Sequence, residues 1–517
     1  MPTTHSHNLY AQFYAAFSAD LTRTAIETDT GERTTFAQLD QQSARMARWL
    51  GSIGLQAGDR AMVQVEKSVP ALVFYLACLR SGVVYVPLNT AYQSAELAYF
   101  IENAAPRVFV ADPARADALG DLTKGLGVEH LVTLDAHGKG SLVDAAEQHD
   151  GEHPICELGS DALAAILYTS GTTGRSKGAQ LTHGNLSSNA HTLHSLWGWQ
   201  PDDVLVHALP IFHVHGLFVA VHCALLNAST MLWMAKFQPQ KALQWFPRAT
   251  VFMGVPTLYV RMLQEAALTP ELCGHMRLFI SGSAPLLVET HRAWQERTGH
   301  TILERYGMSE TLMLTSNPYK SEDGARIAGT VGRALPGVDV RCMREDGTAC
   351  DAGEIGGIEV RGPNVFPGYW HMPEANAKEF TFDGWFKTGD VGQIDADSYV
   401  TIVGRSKDLI ITGGYNVYPA EVEGYINDLP GVDESAVIGC PHKDFGEGVV
   451  ALVVPRPGAQ LDAAQLTAAI KGQIAAFKVP KRLFIVKELP RNVMGKVQKK
   501  ALRETWAKVF DSTTSSP

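Results

Sequence analysis

The chain has 517 residues, of which 45% are hydrophobic, and it carries a formal net charge of −10. A chain of this length can bury a large core, and we expect it to split into at least two domains. The acidic balance argues against general nucleic-acid binding. No apolar run reaches the roughly 18 residues that a membrane-spanning helix needs. These properties predict a soluble protein that neither binds nucleic acid nor inserts into a membrane, and they leave its oligomeric state open.

The seven cysteines form no Cys-x-x-Cys pair, and because their number is odd, they cannot all pair in disulfides within one chain. This usage favours reduced thiols in a cytosolic compartment. Residues 1–20 lack a long hydrophobic stretch followed by a small-residue cleavage site, so we expect no secretory signal and a cytoplasmic location. The small, polar residues 511–517 predict a disordered tail.

In the first four hundred residues, short β-rich runs alternate with helical patterns. A helix is predicted from Ala71 to Arg80, with Gly82 near its C-terminus. The first predicted strands are Arg60 to Val65, Val83 to Pro87, Arg107 to Ala111 and His130 to Leu134. This alternation favours α/β layers with mostly parallel strands.

A more compact pattern begins after residue 404. Asp462 with Gln465 is typical of a capping box before a helix that should end near Phe477. The other predicted elements are a helix from Pro419 to about Asp428 and strands at Ser435 to Gly439, Val449 to Val454 and Leu483 to Val486. We therefore predict a first domain over residues 1–403, a hinge at 404–408 and a small domain over 409–510.

One loop is rich in groups that bind phosphate. The segment Tyr168-Thr-Ser-Gly-Thr-Thr-Gly-Arg-Ser-Lys177-Gly178 holds three glycines, five Ser/Thr hydroxyls and a lysine. It follows the apolar run Leu163 to Leu167, a predicted buried strand, and ligand clefts of α/β sheets form at strand ends. Glycines let backbone N–H groups approach an oxyanion, hydroxyls donate hydrogen bonds and Lys177 adds positive charge.

The spacing of this loop matches neither a Walker P-loop nor a Gly-x-Gly-x-x-Gly dinucleotide fingerprint, which disfavours a kinase or an ordinary NTPase. In an arbitrary chain, a flexible turn would be the more probable interpretation of such a composition. Four further stretches favour a nucleotide site. They are Ser281-Gly-Ser-Ala-Pro285, Glu304-Arg-Tyr-Gly-Met-Ser-Glu310, Tyr399 to Gly414 and Pro490-Arg-Asn-Val-Met-Gly-Lys496.

In this order, the five stretches resemble the adenylate-forming superfamily, which includes acyl-CoA synthetases. The resemblance implies a large multi-layer α/β N-terminal domain, a small mobile α+β C-terminal domain and an active site between them. It also implies ATP, Mg²⁺ and coenzyme A as reactants or cofactors. The nucleotide-binding residues that it implies are Thr169, Ser170, Gly171, Thr172, Thr173, Gly174, Lys177, Ser283, Ala284, Pro285, Glu304, Tyr306, Gly307, Asp390 and Arg405.

The resemblance also assigns catalytic roles. Lys496 matches the lysine that bridges the incoming carboxylate and the α-phosphate, where negative charge develops. Composition alone would favour a simpler interpretation, in which Lys496 is a solvated lysine within a basic segment. Glu310 matches the Mg²⁺-binding carboxylate. Ser309 matches a contact to the α-phosphate, and although threonine is the commoner residue there, the hydroxyl is retained.

Roles in the ribose contact and in the second half-reaction follow in the same way. Asp390 matches the carboxylate that accepts from the ribose hydroxyls, and Arg405 matches a second ribose contact. Lys407 matches the residue about which the small domain rotates. The loop presented to the thiol of coenzyme A then comprises Gly413, Gly414 and Tyr415, a stretch that is equally compatible with a tight turn.

Two arginines lie at positions where a synthetase for fatty acids would carry apolar residues. Arg305 precedes Tyr306, and Arg261 lies in a segment that borders the acyl pocket in the superfamily. An unpaired guanidinium is costly to bury, whereas a second substrate carboxylate would satisfy it. Each arginine could instead pair with a protein carboxylate, for example Arg261 with Glu265 at i+4.

The motifs around these arginines, together with Pro210-Ile-Phe-His-Val-His-Gly216, are similar to those of malonyl-CoA synthetases. The resemblance implies malonate as the substrate, with methylmalonate as a second candidate. His213 matches a position at the acyl pocket, although a packed core histidine is as plausible, and no third ligand motif supports zinc. The alternatives are a synthetase for a monocarboxylate, an adenylation module that loads a carrier protein, and a degenerate binding protein.

Overall fold

A computed structural model of the chain describes residues 7–169, 176–412, 415–471, 473–492 and 495–511. The chain divides into two compact units. The first comprises Met1–Asp339 and Val360–Phe386, and the second comprises Val340–Glu359 and Lys387–Pro517. The predicted domain limits at residues 403 and 408 stay predictions.

The first unit contains two β-sheets. Its strands, in chain order, are β1 Thr24–Thr28, β2 Arg33–Thr35, β3 Arg60–Gln64, β4 Val84–Pro87, β5 Val108–Ala111, β6 His130–Thr133, β7 Leu163–Thr169, β8 Lys177–Thr182, β9 Val204–His207, β10 Thr230–Trp233, β11 Val251–Gly254, β12 Leu278–Ser281, β13 Leu303–Met308, β14 Leu312–Ser316 and β15 Arg333–Ala334. Within the described residues, one sheet has the order β6-β5-β3-β4-β7-β8 and the other β15-β14-β13-β12-β11-β9-β10-β1-β2. The strands inside each sheet are parallel. Antiparallel strands lie at the edges: β8 in the first sheet, and β2 and the pair β14-β15 in the second.

Helices connect the parallel strands, as crossover connections require. They are α1 Leu9–Phe17, α2 Phe36–Ser52, α3 Val69–Ser81, α4 Ser94–Ala104, α5 Pro113–Gly125, α6 Ser141–Glu147, α7 His183–Leu196, the π-helix His215–Val221, α8 His222–Leu226, α9 Pro239–Trp245, α10 Pro256–Leu263, α11 Val288–Thr298 and α12 Pro373–Glu379, with 3₁₀ turns at Phe246–Arg248 and Ser321–Asp323. In α3, the Ser68 side chain accepts from the N–H of Ala71, and Gly82, at φ 77°, ends the helix. That φ lies in the left-handed region, which favours glycine.

The second unit contains two smaller sheets and most of its helices pack on them. Its elements are β16 Asp339–Met343, β17 Gly356–Arg361, β18 Phe386–Ile394, β19 Val400–Arg405, the 3₁₀ turn Ser406–Asp408, β20 Ile410–Thr412, β21 Tyr415–Val417, α13 Pro419–Asn427, β22 Val432–His442, β23 Gly446–Pro455, α14 Ala463–Lys471, β24 Arg482–Ile485 and α15 Lys499–Thr505. The first sheet has the order β16-β17-β18-β19, and the second has β21-β20-β23-β22 with β24 on β23.

The predicted fold class is confirmed: α/β layers form the first unit, and an α+β arrangement forms the second. One predicted helix is too long. The Asp462 carboxylate accepts from the N–H of Gln465, as predicted, but α14 ends at Lys471 and not near Phe477. The residues from Gln473 to Phe477 are not helical. Phe477 instead packs against the core of the second unit.

Two further findings concern the sequence predictions. All seven cysteines are free thiols. Among the described residues, no helix is long and apolar enough to cross a membrane.

Candidate active site

The phosphate-binding loop predicted from the sequence starts at the end of β7 and ends at the start of β8. Ser170, Gly171, Thr172, Thr173 and Gly174 lie outside the described residues. The two described ends of the loop meet functional groups from distant parts of the first unit, because β7 and β8 lie side by side. These ends are Thr169 and Lys177.

At the β7 end, the hydroxyl of Thr169 lies 3.3 Å from Oε1 of Glu310. The same carboxylate oxygen lies 3.1 Å from the hydroxyl of Tyr369. The Glu310 side chain is buried, with 6% of its surface exposed. The fold thus places the predicted Mg²⁺ carboxylate next to the predicted phosphate loop, 141 residues away in sequence.

This donor set fits magnesium better than a metal held by protein ligands alone. Within the described residues there is no group of three or more His, Cys, Asp or Glu side chains that could hold a metal ion. Mg²⁺ commonly uses one or two carboxylates and takes its remaining ligands from substrate phosphates and water. A single carboxylate beside a phosphate loop suits that mode of binding.

At the β8 end, the ammonium of Lys177 forms an ion pair with the carboxylate of Glu379. It also lies 4.7 Å from the centre of the Tyr369 ring, within the range of a cation–π contact. The hydroxyl of Tyr369 is 3.0 Å from Oε2 of Glu379. Sequence reasoning did not identify Tyr369 or Glu379, because neither belongs to one of the five stretches.

Several of the predicted nucleotide-binding residues lie just after β12 and on β13. The Glu304 carboxylate accepts from the backbone N–H of Leu286, immediately after Ser283 to Pro285. Its second oxygen, Oε2, is buried and has no partner among the described residues. Burial without a counter-charge raises the pKa of Glu304 to about 8, so the group is largely neutral at pH 7. A neutral carboxyl can both donate and accept a hydrogen bond, as an adenine edge requires.

Arg305 is a buried arginine of the first unit. Its side chain has 2% of its surface exposed, and Nε and Nη2 have no hydrogen-bond partner among the described residues. Desolvation lowers the pKa of its guanidinium to about 9. The guanidinium lies flat against Gly282, where an added Cβ would be 2.6 Å from Cζ of Arg305. A buried cation without an anion is costly, so an anion bound beside it would stabilise it.

Two polar side chains lie beside this guanidinium. His215, at the start of the π-helix, is fully buried, and its Nδ1 is 3.3 Å from the hydroxyl of Ser283. Burial and then the nearby charge of Arg305 hold the pKa of His215 well below its usual range. Nε2 of His215 has no partner among the described residues. Ser283 adopts φ 71°, a left-handed conformation that non-glycine residues rarely take.

His213 takes part in the same cluster through the backbone. Its Nδ1 accepts from the N–H of His215 at 3.3 Å, and its side chain is half-buried. Sequence reasoning considered His215 only as a zinc ligand and missed it as a pocket residue. The available signal was its place in the same motif as His213.

A buried lysine anchors the segment that carries both histidines. Nζ of Lys67 lies 2.8 Å from the carbonyl oxygens of His207 and Met234 and from Nδ1 of His207. These contacts use all three ammonium protons. Nε2 of His207 lies 2.9 Å from the carbonyl oxygen of Gly216, so that nitrogen carries the proton. The backbone just after His215 is therefore tied to the end of β9.

Arg261 differs from Arg305. It is exposed on α10, and its guanidinium lies 5.0 Å from the centre of the Phe237 ring. It does not pair with Glu265, whose carboxylate accepts from Gln240 at 2.7 Å. No described contact joins Arg261 to Arg305, so its role in the acyl pocket stays a prediction.

In the second unit, the two predicted ribose residues lie opposite each other on β18 and β19. Nε of Arg405 donates to the Asp390 carboxylate at 2.6 Å. Asp390 has 3% of its surface exposed, and its backbone N–H donates to the hydroxyl of Thr388. The arginine fixes the carboxylate in one orientation, as a diol acceptor needs. Lys407 follows in an exposed 3₁₀ turn, where the hinge was predicted.

Lys496 lies on a tight turn that its own backbone closes. Its N–H donates to Oδ1 of Asn492, and its carbonyl accepts from the N–H of Asn492 at 2.9 Å. Gly495, at φ 75°, allows this turn. The Lys496 side chain is exposed, which a lysine that reaches a substrate requires.

The residues predicted to contact coenzyme A are only partly described. Gly413 and Gly414 lie outside the described residues. Tyr415 is 58% exposed, and its ring stacks on that of Phe477 at 4.7 Å. Its predicted role stays a prediction.

The family of AMP-binding enzymes matches residues 14–370, and the C-terminal domain of AMP-binding enzymes matches residues 421–496. The chain belongs to the AMP-binding enzyme family. This confirms the resemblance inferred from the five stretches and, with it, the two-part fold.

Among AMP-binding enzymes, the chain is 36% identical over 517 residues to the mitochondrial malonate–CoA ligase of Homo sapiens, covering 92% of this chain and 88% of the relative. It is 35% identical over 504 residues to a probable CoA ligase of Humulus lupulus, covering 90% and 82%. The fold matches ATP-bound MatB from Rhodopseudomonas palustris with a TM-score of 0.95 and 54% identity, covering 98% of this chain and 100% of that one.

Proposed function

We propose that this AMP-binding enzyme is a malonate–CoA ligase that converts malonate, ATP and coenzyme A into malonyl-CoA, AMP and pyrophosphate. The observation that carries the substrate is the buried guanidinium of Arg305, which has no counter-charge among the described residues. A relative named malonate–CoA ligase, similar over 92% of this chain, supports the same substrate.

The environment of Arg305 selects for a dicarboxylate. Placing an alkyl or aromatic group against an unpaired guanidinium would leave a charge without a partner in a dry pocket. A carboxylate offers two oxygens to the planar fork of the guanidinium. The hydroxyl of Ser283 and the free Nε2 of His215 lie beside it and add hydrogen-bonding groups. Malonate suits a short pocket because only one methylene separates its two carboxylates.

In the first half-reaction, the free carboxylate of malonate attacks the α-phosphorus of ATP, and pyrophosphate leaves. Arg305 would hold the other carboxylate and so aim the attacking one. Lys177 would bind the departing phosphates, and Lys496 would offset the charge that builds on the α-phosphate. Glu304 would contact adenine, and Asp390 would accept from the ribose hydroxyls. Magnesium, when bound at Glu310, would neutralise phosphate oxygens.

In the second half-reaction, the sulfur of coenzyme A attacks the acyl carbonyl carbon, and AMP leaves with the bond electrons. Arg305 would keep its hold on the distal carboxylate, so this group stays unreacted. The loop at residues 413–415 would approach the thiol. Rotation of the small domain about Lys407, the use of Mg²⁺ and a cytoplasmic location are further parts of the proposal that stay predictions.

The test is pyrophosphate release with ATP, Mg²⁺ and coenzyme A over acetate, malonate, methylmalonate, octanoate and benzoate. We expect malonate to give the highest kcat/KM and Arg305→Met to lose this preference. A preference for octanoate or benzoate would make the enzyme a monocarboxylate synthetase. Acylation of a carrier protein with no reaction of free coenzyme A would make it a carrier-loading enzyme.

A further inference from the structure

Residues 368–370 and the helix α12 surround the side chain of Lys177. Residues 368–370 run antiparallel to the start of β8, with the N–H of Trp370 donating to the carbonyl of Gly178 at 2.8 Å. Oδ1 of Asn376 accepts from the N–H of Tyr369 at 2.7 Å and ties that strand to α12. The last residue of α12 is Glu379, the ion-pair partner of Lys177. The segment 368–370, the ring of Tyr369 and the C-terminal end of α12 therefore all lie beside the ammonium group of Lys177.

The same elements also contact the predicted magnesium carboxylate. The backbone N–H of Phe366 donates to the carbonyl of Glu310 at 2.9 Å. The Tyr369 hydroxyl lies 3.1 Å from Glu310 and 3.0 Å from Glu379. A hydroxyl has one proton, so it can donate to only one of these carboxylates at a time. Thr169 also donates to Glu310, whereas Glu379 has the ammonium of Lys177 beside it as a source of positive charge.

This arrangement conflicts with the role of Lys177 in phosphate binding. One ammonium group cannot pair fully with Glu379 and with the phosphates of ATP. Both the lysine and the glutamate are partly buried, with 16% and 25% of their side chains exposed, so their pairing is screened less than a surface ion pair. Phosphate must therefore displace a carboxylate and not only water.

We propose that Glu379 is a positioning residue that holds Lys177 against Tyr369 and competes with the phosphates of ATP for its ammonium group. This inference rests on the proposed function, since it takes Lys177 to bind phosphate. Arrival of ATP transfers the ammonium from Glu379 to the phosphates. The contact thereby keeps Lys177 oriented before ATP binds and lowers the affinity for ATP.

The test is calorimetric titration of ATP into Glu379→Gln, without malonate or coenzyme A, both with Mg²⁺ and with EDTA. Glutamine keeps the size of the side chain and removes its charge. We expect ATP to bind about three- to tenfold more tightly in both conditions, the range for loss of a partly buried competing ion pair. If ATP binding is unchanged, or is weakened in both conditions, the proposal is wrong.

The matched control is Glu374→Gln, which removes the same charge from an exposed position on the same helix. It measures the general gain in ATP affinity from losing one negative charge, and an equal gain in both variants would overturn the proposal. A loss of affinity confined to Mg²⁺ would instead make Glu379 a metal-binding residue, which also overturns it. Glu379→Asp, with a shorter reach to Lys177, should give a smaller gain and serves if the glutamine variant folds poorly.

A double-mutant cycle separates this role from a structural one. In a Lys177→Met background, Glu379→Gln should raise the affinity for ATP by no more than Glu374→Gln does, because no ammonium remains to compete for. The same gain in that background would refute the competition. Failure of wild type to bind ATP at all would refute the proposed function and not the contact between Lys177 and Glu379.

Discussion

Replacement of Arg305 by methionine tests the substrate and the energetics of the site together. Methionine keeps much of the apolar volume and removes the charge. Burial lowers the pKa of Arg305 from its usual range to about 9, and this shift corresponds to about 5 kcal/mol at about 1.4 kcal/mol per tenfold change. This figure is an upper bound on what the charged guanidinium costs the folded chain. We expect Arg305→Met to raise the free energy of unfolding by about 1–4 kcal/mol.

The same substitution should abolish the preference for malonate. A buried, charge-assisted contact to a carboxylate contributes about 3–4 kcal/mol, so kcat/KM for malonate should fall about 100- to 1000-fold. The KM for ATP should change less than about threefold, since the nucleotide does not contact this group. Arg305→Lys should keep part of the activity, because it retains the charge and loses the planar fork.

The assays are pyrophosphate release for kcat/KM and denaturant unfolding for stability. Arg292→Met, which removes an exposed arginine on α11, is the matched control and should change neither. A variant that is less stable than wild type and still prefers malonate would refute the reasoning. It would show that Arg305 has a structural partner and that another group recognises the second carboxylate.

Three further substitutions and one control test other parts of the protein. Glu304→Gln should match wild-type stability at pH 4 and exceed it by up to about 5 kcal/mol at pH 9 in urea unfolding, because the folded carboxyl keeps its proton up to a pKa of about 8 and the unfolded one loses it near 4.3. Wild type therefore loses stability as the pH rises through this window, and a constant difference would contradict the burial of Glu304. Gly216→Ala should lower both stability and kcat/KM for malonate, since its Cβ would lie 2.1 Å from the carbonyl oxygen of Pro210. Gly424→Ala, in an open position on α13, should instead stabilise by about 0.5–1 kcal/mol. Lys496→Ala should reduce ATP–pyrophosphate exchange by more than about 100-fold without changing the melting temperature, because the side chain is exposed; retained exchange would show that another cation serves adenylation.

Much of the fold could be predicted from local patterns. The apolar runs of β3 to β7 and the glycine that ends α3 appear directly in the sequence, and the structure contains these elements with ends shifted by a residue or two. The end of α14 was harder to predict, because helix propensities near Lys471 and the packing of Phe477 act in opposite directions. Strand order and register depend on distant pairings, which no local pattern specifies.

The sequence by itself determined the family and the positions of the nucleotide-binding motifs, because glycines, hydroxyls and charged residues in that order are needed locally for the chemistry. Only the tertiary structure decided that Arg305 is buried without a counter-charge among the described residues, that Arg261 is exposed, and that Glu379 pairs with Lys177 across 202 positions of the chain. The physical reason is that burial and partner choice depend on which elements pack together. The sequence does not distinguish a charged residue that faces water in the fold from one that faces a carboxylate or a substrate.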